Sequence, residues 1–151
     1  MDWIPDQGDA DPQILFHSQQ IDFQLNQEAK HQKWIETIFA NEQKKYSEIN
    51  FIFCDDAYLL DKNQTYLQHD TYTDIITFEY SQAPISGDIF ISIKRVRENA
   101  TERNLSFAAE LYRVMAHGIL HLCGYGDKKD EEIKVMRAKE EACILLLKDI
   151  T

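Results

Sequence analysis

The sequence predicts an α+β fold, a mixed sheet of about four strands packed with about five helices. Short apolar runs bounded by turn residues recur through the first two thirds of the chain, and helically spaced apolar residues fill most of the last third. A length of 151 residues with 44% hydrophobic content suits one domain, residues 1–151, with a core of its own. No internal repeat, low-complexity tract or interdomain linker interrupts it.

The elements follow in order. Ile14, Phe16, Ile21, Phe23 and Leu25 alternate well enough to predict one or two short strands over residues 14–24. Asn26 is a candidate cap for a helix from about Gln27 to Lys45, with Trp34, Ile35, Ile38 and Phe39 on its buried face. Ile49 to Cys54 has the length and composition of a strand, and Asp55 or Asp56 can cap a short helix through Leu59 and Leu60. Strands are expected near Thr73 to Tyr80 and Asp88 to Ser92, joined by the turn-rich Pro84-Ile85-Ser86-Gly87, with Gly87-Asp88 read as turn chemistry. Helices complete the pattern at about Ile93 to Arg103, Phe107 to Cys123 and Asp130 to Asp149, with Ser106 capping the second of them.

Composition narrows the function classes. There is no long apolar run, and Met1-Asp2-Trp3-Ile4-Pro5-Asp6 lacks both a basic region and an apolar one, so the chain reads as neither secreted nor membrane-spanning. Cys54, Cys123 and Cys143 are an odd set without C-x-x-C spacing, which suits reduced thiols in the cytoplasm. A net charge of -10 opposes nonspecific binding to a polyanion. Lys94, Arg95, Arg97, Arg103 and Arg113 do gather before residue 117, but Glu98, Glu102 and Glu110 are interspersed among them, the pattern of a solvated amphipathic face.

The chemistry concentrates in His117-Gly118-Ile119-Leu120-His121-Leu122-Cys123-Gly124-Tyr125-Gly126-Asp127. Residues four apart lie on one helix face, so His117 and His121 can share a metal ion at roughly 2.0–2.1 Å each. Gly124 suits the left-handed end of a helix and lets the chain turn back, which offers Asp127 as a third ligand. Three protein ligands and no obvious fourth describe a catalytic zinc, which lowers the pKa of its water toward about 7. A metal-dependent hydrolase is the reading these residues favour. Cys123 falls about 200° from His121 around the helix and is expected to be a buried, inert thiol. Zinc peptidases of the H-E-x-x-H type carry their general base directly after the first histidine, where this chain has Gly118, so peptide hydrolysis is the second choice.

The segment resembles the signature H-G-x-L-H-L-x-G-Y-D-H of the YbeY family of single-strand-specific endoribonucleases, matching it at His117, Gly118, Leu120, His121, Leu122, Gly124 and Tyr125. Thr73-Asp74-Ile75-Ile76-Thr77-Phe78 resembles the family's T-[DN]-V-L-S-F strand and Gly87-Asp88-Ile89-Phe90-Ile91 its G-D-I strand. The likeness continues through Met136 and Glu140-Glu141, covering roughly residues 45 to 148. It implies a YbeY-type fold with a zincin-like metal helix and one zinc ion per chain. It also implies hydrolysis of single-stranded RNA in small-subunit ribosomal RNA 3′-end maturation and ribosome quality control, with the small ribosomal subunit as partner.

Two positions depart from the family. Asp127 replaces its third histidine, with Gly126 where an Asp is usual, and Leu67 stands where the family has a cleft arginine. Arg113 and Glu110 lie four and seven residues before His117, within about 40° of the ligand face. Arg113 is the candidate contact to the scissile phosphate and Glu110 the candidate partner orienting a ligand histidine. Asp74, Thr77 and His69 are candidate substrate contacts, and His17 and His31 are read as structural or exposed. A metallopeptidase and a noncatalytic ribosome-assembly factor are the alternatives in other classes.

Overall fold

The structure is a computed structural model that describes residues 11–67 and 73–150. A four-stranded sheet in the order β1-β2-β4-β3 is built from β1 (Gln13–Gln19), β2 (Tyr46–Cys54), β3 (Ile75–Gln82) and β4 (Ile85–Ser92). β1, β2 and β4 run parallel, and β3 pairs antiparallel with β4 as an edge strand. Five helices accompany it: α1 (Glu28–Asn41), α2 (Asp56–Leu67), α3 (Ile93–Glu102), α4 (Phe107–Leu122) and α5 (Asp130–Leu146), the last continued by a 3₁₀ turn at Leu147–Asp149. The α+β class, the mixed four-stranded sheet and the helix count match the sequence-based expectation.

Strand alternation divides the apolar residues between two faces. Ile49, Phe51 and Phe53 of β2 and Ile89 and Ile91 of β4 face the main core, where Trp34, Ile35, Ile38 and Phe39 of α1 meet Leu111, Val114, Met115 and Ile119 of α4. Ile52, Cys54, Ile76 and Phe90 face the other way onto Leu59 of α2. Trp34 anchors α1 to α5 by donating its indole N–H to the Cys143 carbonyl at 2.7 Å.

Several boundaries differ from the sequence reading; α1 ends at Asn41 rather than Lys45, and β4 begins at Ile85 rather than Asp88. Residues 20–27 are not a strand but a connection with Gln20 and Gln27 at positive φ, and the apolar Phe23 and Leu25 pack onto the core from it. α1 begins after Gln27, whose side chain makes no cap bond, so Asn26 is not its cap. Gly87 is not in a turn but inside β4, opposite Ile49 and Glu79. A Cβ there would stand 2.6 Å from the Phe78 carbonyl oxygen and 3.0 Å from a Leu122 methyl, so the glycine is required by close packing between neighbouring strands and α4. Two caps do form where expected, Asp55 accepting from the Tyr58 N–H at 2.7 Å and Ser106 from the Ala109 N–H at 3.1 Å.

Candidate metal centre and cleft

α4 lies across the sheet with Gly118 at its closest approach, where an added Cβ would come 2.9 Å from Ile89 Cγ2 and 3.1 Å from Ile75 Cδ1. That contact turns the neighbouring His117 and, one turn on, His121 toward the β3 edge, their ring centroids 4.5 Å apart. The helix then ends in a Schellman turn. Gly124 takes φ 107° beyond the C-cap, its N–H bonds to the His121 carbonyl and the Tyr125 N–H to the Leu120 carbonyl, both at 3.0 Å. The reversal returns Asp127 to the histidines, its Oδ2 lying 3.3 Å from His117 Nε2 and 3.4 Å from His121 Nε2. Gly126 lies against the Glu132 carboxylate on this return.

Each ring is held from behind. His121 Nδ1 lies 2.8 Å from the Tyr125 carbonyl oxygen, which only accepts, so Nδ1 carries the proton and the Nε2 lone pair is left toward Asp127. His117 Nδ1 lies 2.6 Å from Glu140 Oε2, an arrangement that fixes the same tautomer. The three ligand-type atoms fall within 4.8 Å of one another. Two imidazoles and a carboxylate converging in this way fit a zinc-like cation.

Behind His117 runs a buried chain of charges. Glu140 also meets Arg113 Nη1 at 3.4 Å, and Arg113 grips the fully buried Glu110 with Nε at 2.9 Å and Nη2 at 2.8 Å. Arg103 caps Glu110 from outside at 3.2 Å, and Asp74 Oδ2 lies 4.0 Å from Arg113 Nη2. Carboxylates this deep need such partners. The bonds to Glu110, with Glu140 and Asp74 nearby, hold the Arg113 guanidinium pKa above its ordinary value.

Glu110 thus does not serve as the partner of a ligand histidine. It pairs with Arg113 and Arg103, and the acid at His117 is Glu140 from α5. The sequence carried a signal for this, since Met136, Glu140 and Cys143 sit at i, i+4 and i+7 on the buried stripe of α5 and an acid there requires a buried partner. Cys123, Cys54 and Cys143 are free thiols, and burial pushes them up to about 12, 12 and 11.

A cleft of about 810 Å³ opens between this centre and β3, with Asp74, Thr77 and Glu79 on the strand side and Arg113 and Lys128 beside the ligand residues. Asp74 and Thr77 therefore line it, while His69 lies outside the described residues. Asp74 also accepts from Asn99 at 3.4 Å. Much of the basic stretch is spent on structure: Arg95 forks onto Asp56 at 3.0 Å twice, and Arg97 covers the Phe107 ring at 5.3 Å. Lys128 is the cation of the cleft with no carboxylate partner among the described residues. No described helix is long and apolar enough to cross a membrane.

Comparison with known proteins agrees with this geometry. The family model described as Endoribonuclease YbeY matches residues 13–148. A protein of Flavobacterium psychrophilum named Endoribonuclease YbeY is 52% identical over 129 residues, covering 85% of this chain and 92% of its own. One of the same name from Cytophaga hutchinsonii is 48% identical over 137 residues, covering 89% and 96%. The solution structure of TM1509 from Thermotoga maritima superposes with a TM-score of 0.65 at 27% identity over 89% of each chain. With the fold, the motif in place and this likeness along most of its length, the chain belongs to the YbeY family of endoribonucleases.

Proposed function

We propose that residues 1–151 act as one zinc-dependent endoribonuclease domain. It cleaves single-stranded RNA, including the 3′ end of the small-subunit ribosomal RNA precursor, in the cytoplasm and in contact with the small ribosomal subunit. The observation that carries this reading is the convergence of His117 Nε2, His121 Nε2 and Asp127 Oδ2 at the floor of a cleft open along β3. These three residues hold one zinc ion, which when bound supplies Lewis acidity to the scissile phosphodiester. Glu140 and the Tyr125 carbonyl keep both rings in the ligating tautomer. Asp74 and Thr77 face the RNA strand across the cleft, and His69 stands with them as a candidate contact named from the sequence.

The missing arginine at Leu67 leaves the phosphate to other cations. Arg113 lines the cleft with 24% of its side chain exposed, but its donors serve Glu110 and Glu140, so it offers phosphate an edge rather than a fork. Lys128, next to the ligand Asp127 and without an ion pair among the described residues, is the better placed cation. The peptidase alternative loses support at Gly118, which stands where zinc peptidases of the H-E-x-x-H type carry their general-base Glu.

The test is cleavage of a labelled small-subunit precursor RNA, free and in assembled subunits, by wild type and His121→Ala, with bound zinc measured and chelator controls. Wild type is expected to bind about one zinc per chain and cleave in a chelator-sensitive way, and His121→Ala to lose both. A folded, zinc-loaded wild type that cleaves neither substrate refutes the nuclease reading. It would leave a peptidase, scored on unstructured protein, or an assembly factor, scored by ribosome maturation in cells carrying the variant.

A further inference from the structure

Lys139 and Glu140 are successive residues of α5, about 100° apart around the helix, and each leads to one of the two histidines. Glu140 reaches His117 directly. Lys139 Nζ lies 2.9 Å from Oε2 of Glu42, the C-cap residue of α1. The other oxygen, Glu42 Oε1, accepts a 2.6 Å hydrogen bond from the Tyr125 hydroxyl. Lys139 Nζ also stands over the Tyr125 ring, 5.3 Å from its centroid. Tyr125 is thereby clamped by α1 and α5 through its side chain while its backbone does two other things. Its carbonyl accepts a hydrogen bond from His121 Nδ1–H, and its N–H closes the Schellman turn that sends the chain on to Asp127.

We propose that Glu42 and Lys139 are positioning residues for the metal centre: by fixing the side chain of Tyr125 they set the ring of His121 and the return of Asp127. The proposal rests on the reading of His117, His121 and Asp127 as zinc ligands. Glu42, Lys139 and Tyr125 do not line the cleft, so they act on the metal only through the ligands. Outer partners that orient a ligand typically contribute about 10–100-fold in metal affinity. A tether that merely joined α1 to α5 would change unfolding and leave zinc affinity alone.

Zinc affinity by competition against a chromogenic chelator separates the two. Tyr125→Phe removes a single oxygen and Glu42→Ala the acceptor, and each is expected to weaken zinc binding by roughly 10-fold or more. The double variant is expected to be no weaker than the weaker single one, because both break the same link. Glu42→Gln, which keeps an acceptor for the hydroxyl, restores most of the affinity, and Lys139→Met shows an intermediate loss. Cobalt-loaded Tyr125→Phe should show an altered visible spectrum. Urea unfolding of the metal-free proteins is run in parallel. Variants that bind zinc like wild type, even if less stable, overturn the proposal. A wild type that binds no zinc overturns the metal site itself, and the proposal with it, an outcome told apart by the wild-type titration alone.

Discussion

Glu140 carries two duties on one carboxylate, accepting from His117 Nδ1 at 2.6 Å and pairing with Arg113 at 3.4 Å. Glu140→Gln keeps an acceptor of similar shape but removes the charge that sharpens the basicity of the ring. Its zinc affinity is expected to fall about 10–100-fold in chelator competition, and a value equal to wild type would count against the role given to Glu140. His31 supplies a separate pH dependence far from the cleft. Its Nδ1 donates to the Gln27 carbonyl at 2.9 Å, its Nε2 is buried without a partner among the described residues, and burial lowers its pKa. A lowered histidine pKa means that the unfolded chain, titrating near 6.5, takes up the proton first. Stability from neutral His31 is therefore fully present above about 6.5 and declines as pH falls toward the folded value. Urea midpoints measured between pH 7.5 and 5 should fall for wild type and fall less steeply for His31→Gln. The cluster of His117, His121 and Asp127 was legible in the sequence because the three sit within eleven consecutive positions. Glu140 was not assigned because its partner lies 23 residues away on another helix, a relation that only packing defines.

Glycines at the contact between α4 and the sheet decide where the metal helix rests. At Gly118 the obstacles to a Cβ are side-chain methyls of Ile75 and Ile89, which can yield, and Gly118→Ala should cost about 1–3 kcal/mol in urea unfolding. At Gly87 the obstacle is the backbone oxygen of Phe78, fixed by the pairing of β3 with β4. Gly87→Ala is therefore predicted to be the more destabilising, and the reverse order would show that the sheet adapts more easily than the side chains. This is also where the reading of elements from sequence fell short. A glycine next to Ser86 and Asp88 carries a turn signal, and nothing local reveals that Leu122 of α4 occupies the missing Cβ volume. Helices α3, α4 and α5 were legible to within a few residues because their apolar spacing and the Ser106 cap are local properties. The strand order was not, because the pairing of β2 with β4 spans α2 and β3.

Of the 16 Lys and Arg residues in a chain of net charge -10, four are held in ion pairs among the described residues and two, Arg113 and Lys128, line the cleft. Arg95, Arg103, Arg113 and Lys139 all answer carboxylates. The cleft itself therefore has few cations to offer a phosphate backbone, and binding of a short single-stranded RNA there should depend weakly on salt. The logarithmic slope is expected to be no steeper than about -1.5, the release of roughly two counterions. A much steeper slope would reveal a basic surface that these pairings do not leave. The basic stretch before residue 117 reads from sequence as a solvated amphipathic face, and the structure instead ties Arg95, Arg103 and Arg113 to buried or half-buried carboxylates, partners that local sequence does not reveal. Both histidines depend on α5. Residues 139 and 140 follow His117, His121 and Asp127 in the chain, so a chain cut before them carries all three candidate ligands and lacks both supports from α5. A chain ending at residue 138 is expected to bind zinc at least about 10-fold more weakly than the full chain in chelator competition, although every candidate ligand side chain is present.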